Sequence, residues 1–558
     1  MRREAALLAL LAGCATAPTP TSPAARELVL SVVGTSDLHG RLGMLPWLGG
    51  HLRALRAARN GAVLLVDAGD MFQGTIASNL DEGATVVAAY NALGYSAAAV
   101  GNHEFDYGPE GPATFATLPE DDPRGALRAR AREARFPFLA ANLAEGARTP
   151  AWENVRPSAV VTVAGVRVGL VGVSSIATGE TTLAANFRGL AMRPLAEAIA
   201  REAAALRAQG AVAVVVLAHA GGACRRFDDP RDASSCEARE ELMDVARALP
   251  AGAVDLVVGG HTHQAVAHFV HGVPVIQSYA NGRAMGRADL VIDRAAGRVR
   301  EVRLFAPRAL CEGQRGDADP DRCAPAPYEG AAVTPDPEVA RVIAPALARA
   351  EQARGRPVGV TLAGAMDASY DRESPLPNLV ADAMRAASPG ADVALMNHGG
   401  VRVDLRDGAL TYGALYSALP FDNRLVRVRM RGAALRAAIA QSAAGDGGAL
   451  AVSGVRAALR CDGGRAVVTL TRDDGRAVPD DESLAVVTND YLATSALRAH
   501  LDAPLSDHEA LHAPMLRDAV AEALRAMGPT IRADDPRWFD RAAPRVALPG
   551  PRPVRCAR

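Results

Sequence analysis

The chain has 558 residues, of which 49% are hydrophobic and 22% are charged, and its formal net charge is −1. This length exceeds what one hydrophobic core supports, so two or more domains are expected. The balanced charge argues against a nucleic acid polymer as partner, and the absence of lysine excludes a lysine nucleophile and leaves arginine, backbone N–H groups or metal to bind any anion.

The first residues are typical of an exported lipoprotein. Arg2 and Arg3 precede an apolar run at residues 5–12, and Leu-Ala-Gly-Cys occupies residues 11–14. This order is that of a signal peptide and resembles a bacterial lipobox, whose cysteine, here Cys14, is lipidated. A plain signal peptide with an incidental cysteine is the alternative. We predict a signal peptide over residues 1–14 and a Pro/Thr-rich tether over residues 15–27.

A lipid anchor is then the only membrane attachment that the sequence predicts, because no other run is long and apolar enough to cross a bilayer. The predicted location is the cell envelope. Ala15 follows the cysteine, where an acidic residue would have indicated retention at the inner membrane. We therefore expect anchorage in the outer membrane, facing the periplasm or the cell surface. The sequence carries no signal for an oligomeric state.

The remaining cysteines favour disulfide bonds, because six in an exported protein is an even number. Short, loop-like stretches separate Cys224 from Cys236 and Cys311 from Cys323. These spacings favour two local pairs and leave Cys461 with Cys556, although six cysteines allow many pairings. A zinc knuckle is the rival interpretation, but no Cys-x-x-Cys supports it.

Short apolar runs alternate with Ala/Arg/Glu-rich helical segments from residue 28 to about 305, which predicts an α/β fold with largely buried strands. The predicted strands include residues 28–33, 63–66, 97–100, 138–141, 166–173, 212–217, 254–258 and 273–277. A helical pattern covers residues 194–208. We predict a first domain over residues 28–305.

A second domain follows a linker. Residues 306–335 are rich in Asp, Pro, Arg and Cys, and a proline with an acidic first turn starts a helix pattern over residues 337–354. We assign residues 306–355 to the linker and its helix, residues 356–548 to a smaller αβ domain, and residues 549–558 to a tail. Apolar runs at residues 393–396, 425–428 and 484–487 predict strands in this domain.

Five of the predicted strands in the first domain are followed directly by His, Asp or Asn. The carboxyl edge of strands is where open α/β folds build their sites. These residues are Asp37 and His39 after the first strand, Asp70 after the second, Asn102 and His103 after the third, His219 after the run at 212–217, and His261 and His263 after the run at 254–258.

The donor types indicate a metal site. Each residue alone could be structural, but together they place carboxylates, imidazoles and one amide oxygen at a common edge. This set suits borderline divalent metals such as Zn, Mn, Co or Fe. More ligands are available than one ion needs, so we predict two ions that share a carboxylate, polarise a phosphoryl oxygen and hold a hydroxide for in-line attack. The other histidines are predicted to be surface or packing residues.

The motifs resemble those of a known family. S-D-L-H-G (36–40), G-D-M-F-Q-G-T (69–75), G-N-H-E-F-D (101–106), L-A-H-A-G-G (217–222) and G-G-H-T-H (259–263) resemble calcineurin-like metallophosphoesterases, and specifically the 5′-nucleotidase/2′,3′-cyclic-nucleotide phosphodiesterase family. M-N-H-G-G-V-R (396–402), L-P-F-D-N (419–423) and A-V-S-G-V-R (451–456) are similar to its substrate-domain motifs. The resemblance implies a four-layer αββα metallophosphatase domain and a smaller αβ domain that holds the nucleoside.

The resemblance also implies roles for the residues. One metal would be bound by Asp37, His39, Asp70 and His263, and the second by Asp70, Asn102, His219 and His261. His263 departs from the amide residue found in some nucleotidases. His103 and Asp106 match the catalytic dyad, in which a carboxylate orients a histidine that donates to the phosphoryl or leaving oxygen. Glu104 and Asp67 are expected to be structural.

The substrate residues implied by the family are Asn397, Arg402, Phe421, Asn423, Tyr491 and, with an uncertain register, Arg372. An arginine can bind an anion through two N–H groups, and the two aromatic rings could sandwich a base. The Gly-Gly-Asp-Gly-like loop of the family, whose carboxylate holds the ribose, is absent from the corresponding stretch N-D-Y-L-A-T-S-A-L-R (489–498).

The sequence therefore predicts an exported di-metal phosphohydrolase that acts on nucleoside 5′-monophosphates or related small phosphoesters. The alternatives are hydrolysis of another ester, such as a 2′,3′-cyclic nucleotide, a UDP-sugar or a thiosulfate ester, and a surface binding lipoprotein without catalysis.

Overall fold

The computed structural model describes residues 27–556, apart from residues 112, 114, 115, 117, 314–318, 446, 447 and 506–512. The predicted signal peptide with Cys14, and the tether up to residue 26, lie outside the described residues. No helix in the described part of the chain is long and apolar enough to span a membrane.

The first domain alternates strands and helices. Its strands are β1 (Glu27–Thr35), β2 (Val63–Asp67), β3 (Ala97–Ala99), β4 (Phe138–Leu139), β5 (Leu143–Glu145), β6 (Val155–Arg156), β7 (Ser158–Val163), β8 (Val166–Ser174), β9 (Leu190–Met192), β10 (Ala213–His219), β11 (Leu256–Gly259), β12 (Ala265–Val270), β13 (Val273–Ser278), β14 (Ala284–Asp293) and β15 (Arg298–Ala309). Its helices are α1 (Leu45–Ala58), α2 (Ile76–Asn79), α3 (Ala84–Leu93), α4 (Gly125–Glu133), α5 (Thr178–Thr181), α6 (Ala184–Phe187), α7 (Leu195–Ala208) and α8 (Glu241–Ala248).

Two large sheets form the centre of this domain. One has the strand order β15-β14-β1-β2-β3-β4-β6, and the other has the order β12-β13-β11-β10-β8-β7. Within the first sheet β1 to β4 and β6 are parallel, and within the second β8, β10, β11 and β13 are parallel. Parallel neighbours place their carboxyl ends at one edge of each sheet, which is the arrangement that the site requires.

The sheets pack face to face, and helices cover their outer faces. Side chains of β1 such as Leu30 and Val32 share a fully buried core with Leu170 of β8 and Val215 of β10. The alternate residues of the same strands face outward and pack against α1, α3, α7 and α8. Burial on both faces explains why the strands read as continuous apolar runs, and the four layers are the predicted αββα arrangement.

A long helix joins the domains. Helix α9 (Pro337–Arg354) begins where the sequence predicted, because Asp336 accepts hydrogen bonds from the backbone N–H groups of Glu338 (2.9 Å) and Val339 (3.2 Å). Its apolar face belongs to the outer core of the first domain. The helix therefore packs on the first domain and delivers the chain to the second.

The second domain is a smaller αβ unit. Its strands are β16 (Pro357–Ala363), β17 (Val393–Asn397), β18 (Gly408–Thr411), β19 (Leu425–Arg431), β20 (Leu450–Ser453), β21 (Val455–Asp462), β22 (Arg465–Arg472), β23 (Ser483–Asn489), β24 (Thr530–Arg532) and β25 (Val546–Ala547). Its helices are α10 (Pro375–Ala386), α11 (Tyr412–Ala418), α12 (Gly432–Ala444), α13 (Asp490–Thr494) and α14 (Leu516–Met527). A central sheet of order β19-β23-β17-β20 separates two apolar cores.

The cysteines pair as the sequence favoured, in the disulfides Cys224–Cys236, Cys311–Cys323 and Cys461–Cys556. The zinc-knuckle alternative fails, because every described cysteine is in a disulfide and offers no thiolate. The third bridge ties the tail to β21, and β25 lies parallel to the same strand. The tail that we assigned to residues 549–558 thus packs on the second domain as far as it is described.

Candidate metal centre

The seven predicted ligands meet at the carboxyl ends of β1, β2, β3, β10 and β11. Five of them have a left-handed backbone, which is unfavourable for residues other than glycine and typical of functional sites. These are Asp37 (φ 51°), His39 (φ 49°), Asp70 (φ 58°), His261 (φ 78°) and His263 (φ 56°). The loops therefore adopt costly conformations that turn the side chains toward a common point.

One group of ligands gathers on the side of β1. His39 Nε2 lies 2.9 Å from His263 Nε2 and 4.0 Å from Asp70 Oδ2. His263 Nε2 lies 3.8 Å from Asp37 Oδ1, which also accepts the backbone N–H of His261 at 2.8 Å. The four side chains predicted for the first metal thus converge.

A second group gathers around His219, which is fully buried. Its Nε2 lies 3.1 Å from Asp70 Oδ2, 3.0 Å from Asn102 Oδ1 and 3.2 Å from His261 Nδ1. Asn102 Nδ2 donates a hydrogen bond to the Thr181 carbonyl at 3.0 Å. This bond orients the amide so that Oδ1 points toward His219. Asp70 belongs to both groups, as expected of a shared carboxylate.

Backbone carbonyls fix two of the imidazole tautomers. The Nδ1 atoms of His39 and His219 lie 2.9 Å from the carbonyl oxygens of Gln73 and Ala68, respectively, so each Nδ1 is the donor. The Nε2 lone pairs then face carboxylate and amide oxygens, which are acceptors themselves. These lone pairs and oxygens repel one another unless a proton or a cation lies between them. A hydrogen bond from Nδ1 to a backbone carbonyl is also the usual way in which proteins orient metal-binding histidines.

Burial strengthens the case for bound cations. Burial raises the pKa of Asp37 to about 7, and its Oδ2 accepts no hydrogen bond from any described residue. Burial lowers the pKa of His219, but the Asp70 carboxylate outweighs this effect and raises the pKa to about 10. A buried carboxylate oxygen without a partner is costly, and divalent cations would supply the missing charge. The residues therefore fit two such ions.

The predicted dyad is formed. His103 Nδ1 lies 2.5 Å from Asp106 Oδ2, and Thr182 Oγ1 donates to the other carboxylate oxygen at 2.9 Å. Burial lowers the pKa of His103, but Asp106 and Asp70 outweigh it and raise the pKa to about 9. The backbone N–H of His103 donates to Asp70 Oδ1 at 2.9 Å. The dyad is therefore fixed to the shared carboxylate.

Glu104 and Asp67 hold the loops. The buried Glu104 carboxylate accepts the backbone N–H groups of Asp70 (2.9 Å), Met71 (2.7 Å) and Gly101 (2.6 Å). Asp67 accepts hydrogen bonds from Gly69 N (2.8 Å), Thr35 Oγ1 (2.6 Å) and the Tyr90 hydroxyl (2.9 Å). Both oxygens of each carboxylate thus accept hydrogen bonds from the protein. This is consistent with the structural role that the sequence led us to expect for Glu104 and Asp67.

A cleft of about 750 Å³ opens from the metal centre between the two domains. Five of the six predicted substrate residues line it, namely Asn397, Arg402, Phe421, Asn423 and Tyr491. The Phe421 ring centre lies 6.5 Å from that of His103, and Arg402 Cζ lies 6.0 Å from the Phe421 ring centre. The predicted substrate residues thus share one space with His103, Asp106 and four of the predicted ligands.

Arg372 is the exception. It is exposed, its Nε donates to Ser369 Oγ at 3.3 Å, and it lines a smaller neighbouring cavity. The arginine in this part of the large cleft is Arg552, which also lines that smaller cavity and whose Nη2 donates to the carbonyl oxygens of Ser442, Gly445 (3.4 Å) and Gly448 (3.3 Å).

Sequence reasoning missed several lining residues. Tyr370 and Thr182 face the cleft from loops, and Arg552 comes from the C-terminal tail. Thr182 follows helix α5 rather than the end of β8, so the strand-end rule does not identify it. Arg552 could not be predicted either, because a disulfide four residues later determines its place.

Among the described lining residues, no carboxylate follows Tyr491, and Ser495, Ala496 and Leu497 form this part of the lining. The carboxylates among the described lining residues are Asp70, Asp106 and Asp422. The first two belong to the catalytic end, and Asp422 Oδ1 accepts a hydrogen bond from Arg517 at 2.8 Å. The sequence indicated that the ribose-binding carboxylate of the family is missing. The described lining contains no unengaged carboxylate that could take its place.

Two protein-family models match the chain. The model described as calcineurin-like phosphoesterase covers residues 30–265, and the model described as 5′-nucleotidase, C-terminal domain covers residues 354–498. Endonuclease YhcR of Bacillus subtilis (strain 168) is 26% identical over 476 residues, which are 84% of this chain and 36% of that protein. Cell wall protein Lmo0130 of Listeria monocytogenes (serovar 1/2a) is 28% identical over 531 residues, 85% of this chain and 64% of that protein. The chain thus spans less than two thirds of either relative.

The same architecture occurs among solved structures. The crystal structure of a 5′-nucleotidase precursor from Thermus thermophilus superposes with a TM-score of 0.68 over 93% of this chain and 99% of that chain, at 23% sequence identity. At this identity the likeness concerns the fold, and it covers both domains.

Replacement of Asp70 tests the shared carboxylate. We expect Asp70→Asn to lose most of the bound metal after purification with Mn²⁺ or Zn²⁺, because it removes the negative charge common to both groups. Metal content measured by inductively coupled plasma mass spectrometry gives the result. The matched control is Asp67→Asn, three residues earlier and equally buried, which should keep its metal. Equal metal content in the two variants would contradict the shared role.

Proposed function

The chain belongs to the calcineurin-like phosphoesterases that carry a 5′-nucleotidase C-terminal domain, and we propose that it is an exported hydrolase of nucleoside 5′-monophosphates and related small phosphoesters. The observation that carries the proposal is one cleft whose lining includes the His103–Asp106 pair, the aromatic side chains Phe421 and Tyr491, and four of the seven predicted ligands, namely Asp70, Asn102, His261 and His263. A complete set of ligands also argues against a binding lipoprotein that has lost catalysis.

The metal site would hold two divalent ions, one on Asp37, His39, Asp70 and His263, and one on Asp70, Asn102, His219 and His261. When bound, ions such as Zn, Mn, Co or Fe supply the positive charge that a phosphoryl group undergoing substitution requires. The identity of the metal does not follow from these donors, because all four metals accept mixed imidazole and oxygen ligands.

His103 would act as the acid. Asp106 engages Nδ1, so Nε2 remains as the nitrogen that can face a substrate oxygen. Burial lowers the pKa of His103, but the Asp106 carboxylate raises it and so favours the protonated ring. A protonated imidazole can donate to a phosphoryl oxygen as its charge develops, or to the leaving alkoxide. Asp106 orients the ring and stabilises its positive charge.

The second domain would bind the rest of the substrate. Arg402 is held next to the Gly399 carbonyl (3.3 Å) and lies near Phe421, where it can contact an anionic group. Asn397 and Asn423 offer polar contacts, and Phe421 and Tyr491 offer flat faces for a base. The balanced charge of the chain favours a small substrate over a nucleic acid polymer, although one relative is named an endonuclease.

Replacement of His103 tests the acid. We expect His103→Ala to retain its metals and to lose on the order of 10²–10⁴-fold in kcat for AMP, because proton donation is lost while the ligands remain. His271→Ala changes an exposed turn histidine and should leave kcat unaltered. Steady-state phosphate release gives kcat for the wild type and both variants, and metal analysis of the same samples shows whether each protein is loaded. If metal-loaded His103→Ala turned over at the wild-type rate, the dyad would have no catalytic role.

The base-binding role of Phe421 is tested with two esters. Stacking on an aromatic ring contributes about 1–3 kcal/mol per base, so Phe421→Ala should lower kcat/KM for AMP about tenfold or more and leave p-nitrophenyl phosphate within about twofold. Phe305→Ala, on β15 and partly exposed, is the matched control. Unchanged AMP hydrolysis in Phe421→Ala would count against a nucleoside and in favour of the other esters.

The ribose should be recognised weakly. A site rejects a substrate that lacks a hydroxyl only when it has a group placed to bond that hydroxyl, and the described lining residues after Tyr491 include no carboxylate. We expect kcat/KM for AMP and dAMP to differ by less than about tenfold. A preference of about a hundredfold or more would mean that another residue binds the ribose.

The location is also part of the proposal. The N-terminal residues support lipidation of Cys14, and the three disulfides support an oxidising compartment. We expect the wild type to remain with membranes after a salt wash and Cys14→Ser to be released, because the acyl chains are lost. A Cys14→Ser protein that stays with salt-washed membranes would contradict the anchor.

A further inference from the structure

A buried arginine of the second domain contacts the loop that carries Phe421. Arg517 lies in the first turn of α14 and is 3% exposed. Its Nε donates to the Leu419 carbonyl at 2.8 Å, and its Nη2 donates to the Phe421 carbonyl at 3.1 Å and to Asp422 Oδ1 at 2.8 Å. One guanidinium therefore bonds three positions of the segment between residues 419 and 422.

Two tyrosines enclose the same guanidinium. Nη1 donates to the Tyr412 hydroxyl at 3.3 Å, and Cζ lies 3.8 Å from the centre of the Tyr416 ring. Both tyrosines belong to α11, the helix that leads into the loop. The planar fork of an arginine can bond several acceptors in one plane while it stacks on an aromatic face, which the point charge of a lysine cannot do. Arg517 thus fixes the loop to α11 and α14.

The other side of the loop faces the catalytic domain. Gln73, whose carbonyl orients His39, donates from Nε2 to the Pro420 carbonyl at 3.3 Å. The Phe421 ring lies over His103 with an angle of 21° between the ring planes. Arg517 itself is not among the described residues that line the cleft. Any effect of Arg517 on a substrate must therefore pass through the loop.

We propose that Arg517 is a positioning residue that sets the place of Phe421, and with it the wall of the nucleoside site beside the catalytic histidine. The inference rests on the proposed function, because it assigns Phe421 to nucleoside binding. The inference goes beyond that function because it names Arg517 as the residue that fixes the position of the Phe421 ring. Loss of the guanidinium fork loosens the ring and weakens nucleotide binding, and it leaves the metal centre intact.

The first experiment compares Arg517→Lys with Arg525→Lys. Arg525 lies on the same helix, and its Nε donates to the Val358 carbonyl at 2.7 Å, away from the cleft. We expect Arg517→Lys to raise KM for AMP about tenfold while kcat/KM for p-nitrophenyl phosphate stays within about twofold. Arg525 is more exposed than Arg517, but Arg525→Lys makes the same chemical change on the same helix and should leave both values unchanged. Equal effects of the two variants on AMP would overturn the proposal, because they would indicate general loosening.

A double-mutant cycle tests the route through Phe421. In the Phe421→Ala protein, the further change Arg517→Lys should alter KM for AMP by less than about twofold, because the ring that it positions is gone. Effects that multiply would overturn the proposal. If the wild type hydrolysed neither ester, the proposed function would fail as well. Hydrolysis of both by the wild type, with multiplying effects in the cycle, would leave that function standing and remove the inference alone.

A measurement that does not depend on activity completes the test. With 4-fluorophenylalanine at residue 421, the ¹⁹F resonance should shift or broaden in Arg517→Lys and stay unchanged in Arg525→Lys. An unchanged resonance in both variants would contradict the positioning role. If Arg517→Lys does not fold, Arg517→Gln carries the same comparison, since it keeps N–H donors without a charge to bury.

Discussion

The buried Asp70 carboxylate is the group on which the rest of the site depends. It is 1% exposed and stands on a left-handed backbone, and both of its oxygens are engaged, one by the His103 backbone and one near His219. Burial of a carboxylate is unfavourable unless positive charge and hydrogen bonds compensate it. Glu104 holds the loop in this conformation through the backbone N–H groups on either side. Two divalent ions that share Asp70, as we propose, would satisfy the charge and would account for the convergence of the other predicted ligands.

The fold brings these predicted ligands together at the ends of the parallel strands in two mixed sheets. Neighbouring strands β1, β2 and β3 end at one edge and deliver the first loops, while β10 and β11 of the facing sheet deliver the remaining histidines. The hydrogen bond from the His261 backbone to Asp37 joins the two edges. The second domain then closes the cleft, with Gln73 contacting both His39 and the loop of Phe421. The backbone carbonyl of Gln73 therefore orients a predicted metal ligand, and the side chain of the same residue contacts the second domain.

Much of this could be predicted from the sequence because the signals are local. Apolar runs followed by Asp, His or Asn predicted the strand ends and the side chains that converge there, and Asp336 with Pro337 predicted the start of α9. Contacts between residues distant in sequence could not be predicted in this way. Arg372 was expected in the cleft, but the structure places Arg552 in its lining because the disulfide at Cys556 returns the tail to β21. The role of Arg517 could not be predicted from the sequence, because the residues that it contacts lie about a hundred residues earlier.

Anomalous diffraction from crystals of the protein soaked with Mn²⁺ tests most directly whether two metal ions share Asp70. We expect two anomalous peaks about 3.5–4 Å apart. They should lie on either side of Asp70, with Asp37, His39 and His263 around one and Asn102, His219 and His261 around the other. A single peak, or peaks that do not contact Asp70, would contradict the sharing of Asp70.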